Sequence, residues 1–111
     1  MPVSALICFC TCPDPDTADR IAETLVGERL AACVNVLPGL RSVYRWKGVV
    51  ERANEVLLLI KTRRDRYPAL QDRLQALHPA ELPELVAVET AFGIPAYLQW
   101  VADETRPEPS E

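Results

Sequence analysis

Apolar positions in this chain change period in a regular way. Residues 3–12, "VSALICFCTC", are apolar or small throughout, a pattern that suits a strand covered on both faces. In "PDPDTADRIAETLVGERL" the period lengthens: Ile21, Ala22, Leu25 and Val26 fall at helical spacing behind Asp16 as N-cap, which predicts a helix over 17–30. "AACVNVLPGLRSVYRW" reads as a second strand, with Pro38-Gly39 marking a bulge or bend. Lys47-Gly48 supplies a turn, and the apolar half of "VVERANEVLLLIKT" returns as a third strand, so that a long hairpin overhangs the domain. Asp65 can cap a helix over 66–77, with Pro68 in its first turn and Tyr67, Leu70, Leu74 and Leu77 on one face. "ELVAVETAF" predicts a fourth strand, and Pro95 opens a short helix, "PAYLQWVADET".

The order β-α-β-β-α-β plus one helix, with helices on one face of an antiparallel sheet, predicts an α+β ferredoxin-like sandwich. One domain over 1–106 and a polar tail over 107–111 account for the chain. At 111 residues the chain is long enough to bury a core without staples. A net charge of −4 argues against nucleic acid as a partner. No apolar run reaches the roughly 18 residues of a bilayer span, and the opening segment lacks basic residues, so a membrane is not expected and a cytoplasmic location is. In a reducing compartment four cysteines need not pair.

Cys8, Cys10 and Cys12 alternate along the first strand, where residues i and i+2 stand roughly 6.5–7 Å apart. Straight C-x-C spacing is therefore a poor tetrahedral zinc chelate, and no C-x-x-C is present for a redox turn. Cys8 reads as a buried hydrophobe, and Cys33 as core. Cys10 and Cys12 run into the start of the first helix, whose dipole stabilises a thiolate, and the pair would suit copper(I) better than zinc. Metal ligand and buried strand both remain open for them. His78, the one histidine, ends a helix, a place for a C-terminal cap as much as for a ligand. Lys61, Arg63, Arg64 and Arg66 follow the third strand; they form a solvated face or hold an anion in a cleft between subunits. No serine-histidine-acid spacing, phosphate loop or HExxH points to an enzyme.

Residues 28–62, "ERLAACVNVLPGLRSVYRWKGVVERANEVLLLIKT", and 78–88, "HPAELPELVAV", resemble the CutA divalent-cation tolerance family. The resemblance implies a ferredoxin-like homotrimer linked to tolerance of copper and other divalent cations. It places a metal-associated cysteine at Cys10, in a motif that here reads Cys10-Thr11-Cys12-Pro13-Asp14, and adds His78 and Glu84 as partners. Some relatives carry a further histidine where this chain has Leu77, which weakens a nitrogen-rich copper(II) site. A trimer also removes the exposed edges of a protruding hairpin, and Tyr44, Trp46, Tyr97 and Trp100 offer apolar area for an interface. The alternative is a trimeric sensor of anions or nucleotides of the PII type, a likeness of architecture alone.

Overall fold

The computed structural model describes residues 4–107. Residue 3 of the predicted first strand and residues 108–111 of the predicted tail lie outside the described residues. Eight elements follow in order: β1 (Ala5–Cys12), α1 (Pro15–Gly27), β2 (Cys33–Trp46), β3 (Val49–Arg63), a 3-10 turn (Arg64–Arg66), α2 (Tyr67–Leu77), β4 (Val86–Glu89) and α3 (Pro95–Glu104). The four strands form one sheet in the order β2-β3-β1-β4 with every pairing antiparallel. This is the ferredoxin-like α+β fold that the alternation of elements predicts.

Strand alternation sorts the sheet into two unlike faces. Leu6, Cys8, Cys10 and Cys12 of β1 lie with Val56, Leu58 and Ile60 of β3 under Ala18, Ile21 and Leu25 of α1 and Leu70 and Leu74 of α2, forming the main core. The helix α3 departs from the expected arrangement. It packs Val101 on Ala5 and Ala32, and Ala5 points away from the face that carries Leu6. Two helices therefore cover one face and α3 only part of the other. Arg29 fastens α3 there: its φ of 60° ends α1 in a left-handed turn, and its guanidinium donates to the carbonyls of Asp103 and Arg106.

Two caps differ from expectation. Asp14, not Asp16, caps α1, because Pro15 sits at the first helical position and the Asp14 carboxylate accepts from the Thr17 N–H at 2.7 Å. Asp65 caps nothing: it lies within the 3-10 turn, paired with Arg63 at 2.6 Å, and α2 starts without a side-chain cap. The hairpin forms as predicted. Its register slips between Leu37 and Leu40, around Pro38-Gly39, and Lys47 and Gly48 both have positive φ, as a tight two-residue turn with right-twisted strands demands.

Candidate metal centre

The end of β1 meets the end of α2 through His78. Pro79 disfavours helical backbone at His78, so α2 stops there, with the His78 N–H still bonded to the Leu74 carbonyl at 2.9 Å. The ring then bridges two segments. The Ala80 N–H donates to Nδ1 at 3.0 Å, which requires Nδ1 to be bare and puts the proton on Nε2, where it donates to the Thr11 carbonyl at 2.7 Å. This cap holds the carbonyl between Cys10 and Cys12.

Cys10, Cys12 and His78 thereby converge, with their ligand atoms all within 4.8 Å of one another. Both sulfurs belong to residues with no solvent exposure. The two thiols therefore lie closer than the spacing of an extended strand predicts, because their side chains lean together on one face. A hydrogen bond also links them. The hydrogen bond to Cys12, then burial, pushes the Cys10 thiol far up, while the same bond pulls the Cys12 thiol down despite its own burial, with help from the Arg20 charge. The helix start thus does not favour both thiols alike: the bond between them shifts Cys12 toward ionisation and Cys10 away from it. Cys8, one pleat back, is pushed up to about 11 by burial and is a core thiol, as predicted. Cys33 is not core. It is half-exposed on the other face, its sulfur 4.0 Å from the Asn35 side-chain oxygen.

Beside these three residues opens a cleft of about 630 Å³, whose walls include Thr11, Tyr44, Trp46, Glu55, His78 and Glu84. Glu84 stands on this wall rather than among the buried ligand atoms, but both it and Glu55 raise the Cys10 thiol through their charge. Glu55 was not legible as a site residue in the sequence: the β2–β3 register sets it opposite Leu40 after the bulge, and the packed chain makes it part of the same cleft wall as Tyr44 and Trp46. Trp46 is half-buried within its own chain, while Tyr44 is exposed. Trp100 stacks at a tilt on Tyr97, ring centroids 5.6 Å apart, and both are exposed on α3.

The expected cluster of cations after the third strand does not converge: Lys61 and Arg63 belong to β3 itself, Arg64 and Arg66 to the turn that follows. Lys61 bonds to Asn35, Arg63 to Asp65 and the Ala102 carbonyl, Arg64 to Glu89, and Arg66 to the Arg29 carbonyl. None of them lines the cleft.

A family model described as CutA1 divalent ion tolerance protein matches residues 6–104. The chain belongs to this family. It is 50% identical to the divalent-cation tolerance protein CutA of Thermus thermophilus over 86% of this chain and 92% of that protein. It is 44% identical to human protein CutA over 95% of this chain, a match spanning 59% of the human protein. The crystal structure of CutA from Xylella fastidiosa superposes with a TM-score of 0.89 at 48% identity, covering 92% of this chain and 98% of that one. A structure of the divalent cation tolerance protein from Thermus thermophilus gives 0.90 at 46% identity, covering 92% and 99%. The matched span holds the hairpin, the His78-Pro79 turn and all three cysteines of β1.

Proposed function

We propose that this protein binds and buffers copper through Cys10 and Cys12, with His78 beside them. The observation that carries the reading is the convergence of two buried sulfurs and an imidazole within 4.8 Å. The donor set fits a soft ion: thiolates select copper(I), and the thiols release their protons on loading. The fit of His78 is conditional, since both ring nitrogens are engaged; it serves first to hold the Thr11 carbonyl and reaches a metal only by giving up one of those bonds. Other divalent cations would use the same donors more weakly. The protein acts as a binder, not an enzyme. Its place is a reducing compartment such as the cytoplasm, because the pair must stay as thiols.

The homotrimer implied by the family resemblance is supported by the uncovered sheet face. There Val86 and Val88 of β4 pair with Phe9 and Ile7 of β1, and Leu57 and Leu59 of β3 follow on the same side. Val86 and Val88 are about half exposed in the single chain, and Phe92 almost wholly so. An apolar face of that extent calls for a partner, and a second and third copy supply one. An anion sensor has less support, as the candidate cations are each already bonded elsewhere.

Competition against a chromophoric copper(I) chelator tests the metal reading. Cys10→Ser and Cys12→Ser should each weaken copper(I) binding by about a hundredfold or more, and His78→Gln by about tenfold. Unchanged affinity in either serine variant overturns it.

A further inference from the structure

His78 is held at both ring nitrogens, and the two bonds do different work. Nε2 donates to the Thr11 carbonyl at 2.7 Å, whereas Nδ1 accepts from the Ala80 N–H at 3.0 Å. Ala80 lies in the irregular stretch between α2 and β4. Among the described residues, its bond to Nδ1 is the one hydrogen bond that the backbone of residues 79–85 makes. Pro79, Ala80, Glu81, Leu82 and Glu84 are exposed, and Glu81 meets Lys47 only through an exposed ion pair at 3.6 Å, a contact that contributes little. Leu85 packs against the main core. The stretch is therefore fastened at His78 and again at Leu85, with few buried contacts between, the marks of a segment of low local stability.

Metal ligation competes with this fastening for the same ring. A ligating imidazole is neutral, with the ion on one nitrogen and the proton on the other. An ion on Nδ1 takes the acceptor away from the Ala80 N–H. An ion on Nε2 leaves the ring proton on Nδ1, where it faces the Ala80 N–H, donor against donor. The bond to Ala80 is broken in both cases, and only the Thr11 bond depends on which nitrogen is used. We infer that copper loading through His78 releases the 79–84 stretch, so that occupancy of a buried thiol site is displayed at an exposed segment. The inference rests on the metal reading above and adds regulation to it. Ala80, Glu81, Leu82 and Glu84 also line the cleft, so its wall loosens on loading while the strands that carry the cysteines stay fixed. The coupling is reciprocal: whatever holds the stretch in its metal-free position weakens copper binding by the same factor.

Amide hydrogen exchange followed by NMR tests this in the full-length protein, without metal and with one equivalent of copper(I) in the absence of oxygen, while chelator competition measures uptake. Without metal, the Ala80 amide should exchange more slowly, against its intrinsic rate, than the amides of Glu81 and Leu82. Copper(I) should speed it by about threefold to tenfold, as loss of one neutral hydrogen bond does, and leave Cys8 and Leu58 in the central strands unchanged. In His78→Ala the Ala80 amide should be fast with and without copper(I). Uptake of copper(I) with Ala80 exchange unchanged or slowed overturns the inference and leaves the metal reading standing, since that is the result of ligation by the two thiols alone. An Ala80 amide as fast as its neighbours before copper is added overturns it as well. Absence of uptake in the chelator competition overturns the metal reading and this inference with it.

Discussion

At the scale of single residues, the three cysteines of β1 share a face and differ in chemistry. Burial keeps the Cys8 thiol protonated up to about 11, whereas the hydrogen bond between Cys10 and Cys12 raises one thiol and lowers the other. The contrast has a consequence for stability. Cys8 ionises at about 11 when folded and at 9.0 as an ordinary thiol, so the unfolded chain loses its proton first as pH rises. Stability from this residue is intact below pH 9 and falls between 9 and 11, by about 2–3 kcal/mol at the upper end. Denaturant unfolding of the wild type and of Cys8→Ala across that range should show a smaller alkaline loss in the variant. Parallel curves would mean that Cys8 is reached by water in the folded state.

At the scale of elements, the polar cap that sets the start of α1 also orients the strand end that carries Cys12. Asp14 accepts from the Thr17 N–H, and that bond holds its carboxyl below the usual carboxylate range. A depressed folded value means stabilisation that is present above the unfolded value and lost as pH falls through the folded one. Asp14→Ala should therefore lower the melting temperature by about 2–5 °C at neutral pH. The difference from wild type should shrink toward zero by about pH 2 in thermal scans. A difference that persists in acid would assign the effect to chain stiffness between Pro13 and Pro15 rather than to the carboxylate. The other junction, His78, depends on geometry alone: Pro79 stops the helix, and the ring's two hydrogen bonds join α2 to β1.

For the whole molecule, the unlike faces of the sheet govern behaviour. One is sealed by α1 and α2; the other, with α3 at one end, leaves Val86 and Val88 open beside Ile7 and Phe9. Val88→Glu places a charge where a single chain tolerates it and an assembled sheet face does not. Circular dichroism should find the fold retained, while sedimentation should shift from an oligomer toward the 12.4 kDa chain. A wild type that already sediments at 12.4 kDa would remove the assembly from the proposed function.

Much of this architecture is written in local pattern. The switch of apolar period from two to 3.6 marks β1 and α1, Pro38-Gly39 marks the slip in register, and Lys47-Gly48 marks the turn, because each depends on a few neighbouring residues and their backbone preferences. The sequence alone also singled out Cys10, Cys12 and His78, through unusual residues at element ends and through family resemblance. It did not place α3 on the other face, since a short helix with apolar residues all round carries no label for the side it will cover. Nor did it choose Asp14 over Asp16, or show that the two thiols of the pair would be shifted in opposite directions. Tertiary structure decided those points, together with the position of Glu55 opposite the 78–84 segment. Each depends on side-chain positions that local pattern leaves open, and a cleft or a pair of converging thiols exists only where the packed chain brings such groups together.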